Sequence, residues 1–193
     1  MSLISRDQGG KDFKLAPQGT HLARCYLLAD IGYQETNFGT KLQVVLGWEF
    51  PSELLDDGRP MIIYKTYTNS MNEKANLRKD VESWRGKKLT ETEAGGFDLR
   101  NVLGHACQLS IVHNVSGDRT YANIFAVTGI LKGSPVPEAV NENIIFDIDS
   151  GDSAGDLPEW IQKKISEAKA DTSLPGETEN PAMDEDFDDD IPF

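Results

Sequence analysis

The acidic residues of this chain are concentrated towards its C-terminal end, and this distribution limits where a folded core can form. The 193 residues carry a formal net charge of -13. Residues 1–132 contain 16 Lys and Arg against 15 Asp and Glu, whereas residues 133–193 contain 3 against 17. Such asymmetry is typical of an interaction tail appended to a folded body. We therefore expect the core to form within the near-neutral body of the chain.

Most of the body has the period-two alternation of half-buried β-strands. In the clearest example, residues 41–50, the apolar side chains at alternate positions share one face, and Trp48 lies on that face. We therefore expect Trp48 in the core. Asn37-Phe38-Gly39 and Gly117-Asp118 have the chemistry of hairpin turns. The predicted strands are residues 20–33, 41–50, 61–68, 105–115 and 121–130.

The period changes to that of a helix after the third strand. Ser70 and Glu73 have the spacing of a capping box, and Gly86 is a stop signal. Three apolar residues between them recur at i, i+4 and i+7, which predicts an amphipathic helix with a core-facing stripe. This stripe consists of Leu77, Val81 and Trp84. A second amphipathic helix is predicted over residues 158–169.

Five strands with a helix between the third and the fourth have the element order of an OB-fold, a small Greek-key barrel that binds oligonucleotides. We therefore predict a mainly β protein with a five-stranded OB-like barrel. The segment rich in Pro, Glu, Thr and Ser that follows the second helix cannot bury a core. The predicted divisions are an N-terminal extension (1–19), the OB-like domain (20–150), a linker with an amphipathic C-terminal helix (151–170), a disordered linker (171–182) and an acidic tail (183–193).

The sequence contains no motif for catalysis, for a cofactor or for a metal. The three histidines, His21, His105 and His113, lack metal-ligand spacing, and no Cys-x-x-Cys pair or Gly-rich phosphate loop occurs. We therefore expect a binding protein that is not an enzyme. We also expect a cytoplasmic protein, because the sequence shows neither a secretion signal nor a membrane span. Cys25 and Cys107 fall in strand segments and are interpreted as buried, reduced side chains.

The last eleven residues combine acidic and apolar side chains at the end of the chain. Residues 183–193 hold six acids and no base, and they finish with Ile-Pro-Phe. A solubilising tail does not require apolar residues beside its carboxylate. A peptide that binds a partner does, since Phe fills a pocket and the carboxylate pairs with a cation. The predicted partner-binding residues are Asp186, Phe187, Asp188, Asp189, Asp190, Ile191, Pro192 and Phe193.

This ending, Asp-Asp-Asp-Ile-Pro-Phe at 188–193, resembles the C-terminal peptide of bacterial single-stranded-DNA-binding proteins. The body is similar to phage and prophage replication-region proteins in four stretches, including Asn-Leu-Arg-Lys-Asp-Val-Glu-Ser-Trp-Arg-Gly-Lys at 76–87. The other stretches are residues 104–107, 111–113 and 157–161. These resemblances imply a phage-encoded single-strand binder that recruits replication, recombination and repair proteins through its tail in the host cytoplasm.

Binding a single strand of any sequence requires cations for the phosphates and aromatic faces on which bases stack. Lys65 and Tyr67 share one face of the third strand and are the preferred contact, whereas Tyr64 points to the opposite face. Packing alone is the alternative explanation for both tyrosines. The other candidates on strands and hairpins are Tyr33, Phe38, Lys41, Arg119 and Tyr121. On and after the first helix, the candidates for phosphate contact are Arg78, Lys79, Arg85, Lys87 and Lys88.

Two other classes of function fit the same sequence. A strand-annealing or recombination mediator protein uses a similar tail but promotes the pairing of complementary strands. An adaptor or decoy binds host repair proteins through the tail and does not itself bind DNA. The measured annealing activity and the affinity for DNA separate these classes. One barrel per chain is compatible with a homodimer or with a weakly cooperative monomer.

Overall fold

The computed structural model describes residues 14–151 and 153–169. The protein is mainly β, and its open antiparallel sheet has the strand order β3-β2-β1-β4-β5, with β6 added to β1. The strands are β1 (Gly19–Thr36), β2 (Gly39–Leu54), β3 (Pro60–Thr68), β4 (Ala106–Ser116), β5 (Arg119–Thr128) and β6 (Ile144–Phe146). The helices are α1 (Asn76–Arg85), α2 (Glu91–Ala94) and α3 (Glu159–Ser166), with short 3-10 turns at Leu99–Val102 and Ala154–Asp156.

All five predicted strands and both predicted helices are present. The start of α1 differs from the prediction, because its N-cap is Ala75 and Ser70 accepts a local hydrogen bond from the Asn72 amide instead. The predicted capping box at Ser70 and Glu73 is therefore wrong. A capping box does occur at Thr90, where it begins α2. Gly86 ends α1 as predicted, with a φ of 69° that favours glycine.

The inner core lies between one side of the sheet and α1. The predicted stripe of α1 is buried there, and the Trp84 indole donates a 2.8 Å hydrogen bond to the carbonyl of Ala106 at the start of β4. Trp48 is fully buried, with its ring centroid 6.2 Å from that of Trp84. The apolar faces of β2 and α1 that the sequence predicts therefore meet in this core.

An outer core, which the sequence did not predict, covers the opposite side of β1 and β2. Leu27, Val45 and Ile161 are fully buried in it, together with Phe146 of β6. β6 pairs in parallel with β1 over Leu27–Ala29, and α3 packs on the same strand. The residues after β5 therefore form a cover on the outer face of the sheet, which the patterns of the individual strands do not indicate.

A buried ion pair fixes this cover to the sheet. Arg24 of β1 lies 3.0 Å from Glu49 of β2, and Glu49 is fully buried. The Glu49 carboxylate also accepts hydrogen bonds from the backbone amides of Val140 and Asn141 and from the Asn141 side chain. Arg24 donates to Asn143 and to the Asn141 carbonyl. The buried charges are thus satisfied by the segment that leads into β6.

Candidate nucleic-acid interface

The structure distributes the predicted DNA-binding side chains over several surfaces rather than one groove. Exposure to solvent divides them into three groups, and the predicted tail residues 186–193 lie outside the described residues. The exposed group is Phe38, Lys79, Lys87, Lys88 and Arg119. The half-buried group is Tyr33, Lys41, Tyr64, Lys65, Arg78, Arg85 and Tyr121, and Tyr67 alone is buried.

Tyr67 and Lys65 share a face, as predicted, but that face points into the inner core. Tyr67 is 3% exposed, and its hydroxyl donates a 2.7 Å hydrogen bond to Asp80 of α1. Burial, and then the charge of Asp80, raise the pKa of Tyr67 well above its usual range. The prediction that Tyr67 is a stacking platform is therefore wrong, because no face of its ring is open to a base.

Lys65 is part of the same buried arrangement. Its ammonium group lies 2.8 Å from the Asp80 carboxylate and 3.5 Å from the carbonyl oxygen of Ile124 in β5. It also lies 5.0 Å from the centroid of the Tyr67 ring. Lys65 therefore links β3, α1 and β5, and its charge is already paired with a carboxylate. This pairing gives Lys65 a structural role, and its contact with phosphate stays a prediction.

Tyr64 packs against the outer core. Its hydroxyl lies 2.7 Å from that of Tyr26, and its ring makes an edge contact with Trp160 of α3 at 5.5 Å between centroids. Gly47 allows this position, because a Cβ atom there would lie 2.8 Å from the Tyr64 ring. The packing explanation for Tyr64 accounts for all of these contacts. Trp160 keeps 39% of its surface exposed beside it.

Most cations of α1 are paired with carboxylates. Arg78 lies 2.8 Å from Glu82, and Arg85 lies 2.6 Å from Glu93. Hydrogen bonds from the Thr90 amide and from Arg85 lower the pKa of Glu93 to about 2, so this carboxylate is charged at neutral pH. Lys79 and Lys88 form no ion pair within the part of the chain that the structure describes. Of the predicted phosphate contacts on and after α1, Lys79 and Lys88 are therefore the two without a carboxylate partner in that part of the chain.

Arg85 also borders a cavity of about 980 Å³ between the end of α1 and the adjoining ends of β4 and β5. Its guanidinium carbon lies 5.4 Å from the centroid of the Phe97 ring. One nitrogen, Nη1, is buried and has no hydrogen-bond partner among residues 14–151 and 153–169. Other side chains that line the cavity are Trp84, Val102, His105, Thr128 and Ile130. Arg85 is therefore held by Glu93 and Phe97 at the cavity wall.

The two hairpin tips present side chains to solvent. At the tip between β1 and β2, Phe38 is 63% exposed. The Thr36 hydroxyl accepts a hydrogen bond from the Phe38 amide and donates one to the Gly39 carbonyl, which holds the turn in place. At the tip between β4 and β5, Arg119 is exposed after Gly117, whose φ is 58°. Both tips therefore combine an ordered turn with an accessible side chain.

Phe125 of β5 is an exposed aromatic residue that the sequence pattern did not predict as a site residue. The pairing of β4 with β5 shifts at this point, since Ser110 faces Ala126 whereas Ile111 faces Ile124. Phe125 is the extra residue of this β-bulge and is 75% exposed. The bulge allows Ile124 and Val127, three positions apart, to point inward together. That irregular spacing is the signal from which the bulge was predictable.

The outer side of β5 carries a row of four side chains, which we call the β5 row. Residues at alternate positions of a strand share a face. Ala122 and Ile124 pack inward, so the intervening odd-numbered residues point outward. Arg119 and Phe125 are exposed at the two ends, and the two residues between them are half-buried. The β5 row consists of Arg119, Tyr121, Asn123 and Phe125.

Residues 14–151 and 153–169 contain no cluster of His, Cys, Asp and Glu side chains arranged to hold a metal ion. None of the helices described is long and apolar enough to cross a membrane. Cys25 and Cys107 are free and buried. Burial raises the pKa of Cys25 to about 12, which keeps the thiol protonated and unreactive. The described surfaces that could accept a ligand include the exposed sheet surface, the hairpin tips and the cavity beside Arg85.

Comparison with known proteins leaves the family of the chain open. No protein-family model matches the sequence, and no curated protein matches it significantly.

Proposed function

We propose that this protein binds single-stranded DNA without sequence preference and protects it during phage DNA replication and recombination. We further propose that its acidic C-terminal peptide recruits replication, recombination and repair proteins. The body and the tail thus have separate tasks, in agreement with the division of charge along the chain.

The order of the strands, taken together with the position of α1, carries the proposal. β1 lies in the middle of the order β3-β2-β1-β4-β5, and α1 is the first helix of the connection from β3 to β4. This arrangement is compatible with a five-stranded OB barrel that is partly open between its end strands. Lys65 supports the same interpretation, because its side chain reaches from β3 to the backbone of β5. We infer an OB-like barrel in which α1 fills the gap.

The two hairpin tips support oligonucleotide binding. In OB-folds, the loop between the first two strands and the loop between the last two contact the bound strand. Here these loops present Phe38 and Arg119 to solvent, and Tyr121 follows Arg119 in β5. An aromatic face stacks on any base and contributes roughly 1–3 kcal/mol, while Arg neutralises a phosphate. Neither contact depends on the base sequence of the DNA.

The tail proposal rests on residues 183–193, whose six acids precede Ile-Pro-Phe. A basic pocket with an apolar floor binds such a peptide through the terminal carboxylate and the Phe ring. The resemblance to the C-terminal peptide of bacterial single-stranded-DNA-binding proteins indicates the same class of partner.

The test of DNA binding is a fluorescence-anisotropy titration of the full chain. Labelled oligo-dT and a duplex of equal length are compared at low and at moderate salt. We expect preferential binding to oligo-dT, weakened by salt because counterions are released from the phosphates. Equal or absent binding to both DNAs would contradict the proposal and would leave the adaptor function in its place.

The test of recruitment uses a labelled peptide of residues 183–193 and the same peptide without Phe193. Each is titrated with a purified bacterial enzyme that binds the tail of the host single-stranded-DNA-binding protein. We expect binding of the complete peptide and a loss of at least tenfold without Phe193, since an apolar anchor and the position of the carboxylate are both removed. Equal binding of the two peptides would contradict specific recruitment.

A further inference from the structure

We infer that the single strand crosses the outer side of β4 and β5, with Phe125 as a base-stacking surface, instead of the face of the second and third strands that OB-folds commonly use. This inference rests on the proposed single-stranded-DNA binding and specifies where on the protein it takes place.

The β2 part of the usual OB face is covered in this protein, together with Tyr64 of β3. The outward side chains of β2, Gln43, Val45 and Glu49, are at most 4% exposed, and the segment that contains β6 and α3 covers Val45 and binds Glu49. The adjoining Tyr64 of β3 is engaged by Tyr26 and Trp160. A DNA strand that lay along β2 would have to displace the outer core, which includes the fully buried Ile161.

The β-bulge presents Phe125 to solvent. A Phe side chain loses apolar burial when it is 75% exposed, and the bulge leaves the residue unpaired in the sheet. Because of the bulge, Ile124 and Val127 both lie in the inner core although they are three positions apart. The same backbone irregularity thus preserves the core and places an aromatic face at the surface, where a base has access to it.

The rest of the β5 row extends the surface along the strand. Tyr121 lies four residues before Phe125, about 13 Å along a regular strand, and Asn123 lies between them as a hydrogen-bond donor and acceptor. Arg119 stands at the end of the row beside the hairpin tip. The row therefore offers two aromatic rings for bases and one cation for phosphate, all on one side of β5.

The charge of this face suits a polyanion. The chain contains 32 Asp and Glu residues, yet none lies in Ala106–Ser116 or Arg119–Thr128. Asp118, in the turn between these strands, is the nearest acidic residue along the chain. A strand of DNA laid across β4 and β5 therefore meets no carboxylate on either strand, and this favours DNA over a protein partner that binds through basic residues.

The test measures the affinity of the full chain for labelled oligo-dT by anisotropy in three variants at one position. Phe125→Ala removes the side chain, Phe125→Leu keeps an apolar side chain without a ring, and Phe125→Trp keeps a ring. Leu131→Ala, at a residue that is 68% exposed outside the two strands, is the control for a lost surface apolar group. Thermal melting verifies that each variant folds, which we expect because Phe125 is mostly exposed.

We expect Phe125→Ala and Phe125→Leu to weaken binding by about 5- to 100-fold, which corresponds to one lost stacked base. Phe125→Trp and Leu131→Ala are expected to bind like the unmodified chain, and the new Trp should be quenched by oligo-dT. Binding by the unmodified chain with no loss in Phe125→Ala would overturn this inference and leave the proposed function intact. Absence of binding by the unmodified chain would instead overturn the proposed function, and this inference with it.

Discussion

The outer side of β1 and β2 is buried beneath the C-terminal segment, whereas the outer side of β4 and β5 is open to solvent. Val45 and Glu49 on the first are fully buried, while Phe125 on the second is 75% exposed. The two surfaces belong to one sheet and differ in whether another part of the chain packs on them. Within residues 129–151 and 153–169, the part of this segment that the structure describes, the chain returns to β1 and packs on the outer side of β1 and β2. The packing of added segments, and not the strand order alone, therefore determines which part of this sheet is exposed.

The burial patterns of the strands reflect the same difference. β1 and β2 each contain a run of at least seven consecutive buried residues, because both of their sides face a core. In β4, buried positions alternate with half-buried ones from Ala106 to Val112, as in a strand with one side towards solvent. A strand that is covered on both sides needs a partner for each polar group, and the Arg24–Glu49 pair meets this need in the covered region.

The largest effect is expected from removal of the buried carboxylate that fixes the cover. Glu49→Ala leaves Arg24 without its ion-pair partner and removes the acceptor for three donors of Val140 and Asn141. We expect the free energy of unfolding to fall by about 4 kcal/mol, as for other broken buried pairs. Urea unfolding measures the change, with the exposed Glu159→Ala as control. A loss below about 1 kcal/mol would show that the pair does not hold the cover to the sheet.

A somewhat smaller loss is expected in the apolar part of the same cover. Ile161→Ala creates a cavity at a fully buried position of α3, whereas Ile145→Ala truncates the same residue type where it is 48% exposed. We expect a loss of about 3 kcal/mol for Ile161 and less than about 1 kcal/mol for Ile145. Thermal and urea unfolding of the two variants provide a matched pair. Equal losses would argue that α3 does not pack on the sheet in solution.

The inner core was predictable because its pattern is local. The stripe of α1 and the alternate apolar side chains of β2 repeat within one element, so the period identifies the buried side. The outer core depends on the pairing of β6 with β1, more than a hundred residues apart in sequence. No local period encodes such a contact, and β6 itself is three residues long.

The candidate site was harder to predict for a related reason. Tyr67 and Lys65 were assigned correctly to one face of β3. When both faces of a strand carry polar side chains, however, the alternation does not show which face lies in the core. In the structure this face points inward because the Asp80 carboxylate accepts hydrogen bonds from both Lys65 and Tyr67. Phe125 was missed because a bulge interrupts the period-two pattern where it stands. Polar side chains that form hydrogen bonds within the core, and side chains that a β-bulge exposes, are therefore both difficult to place from the sequence pattern.

An intermediate effect is expected at the contact between β3, α1 and β5. Asp80→Ala leaves the Lys65 ammonium and the Tyr67 hydroxyl without their shared acceptor. We expect the free energy of unfolding to fall by about 2 kcal/mol, with little change in the affinity of the folded variant for oligo-dT. Asp118→Ala, in the exposed β4–β5 turn, is the control for stability. A strong loss of DNA affinity in a stably folded Asp80→Ala protein would restore this region as part of the binding site.

The smallest effect is expected from the surface pairs of α1 in acid. Hydrogen bonds from the Thr90 amide and then from Arg85 lower the pKa of Glu93 from an ordinary 4.5 to about 2. Because the folded-state pKa is the lower one, the contribution to stability is present above pH 4.5 and is lost as the pH falls towards 2. Glu93→Gln should therefore lower the melting temperature slightly at pH 7, and the difference should shrink in acid. A difference that stays constant with pH would contradict this ion pairing.

Photo-crosslinking tests the contrast between the two surfaces most directly. The full chain is irradiated with oligo-dT that carries 5-iodouracil, which reacts with aromatic side chains that stack on it, and the adducts are located by mass spectrometry. We predict adducts at Phe125 and Tyr121 on the open side of β5. Adducts at Tyr64 and Trp160, with none in β5, would place the DNA at the covered side of the sheet and contradict the account.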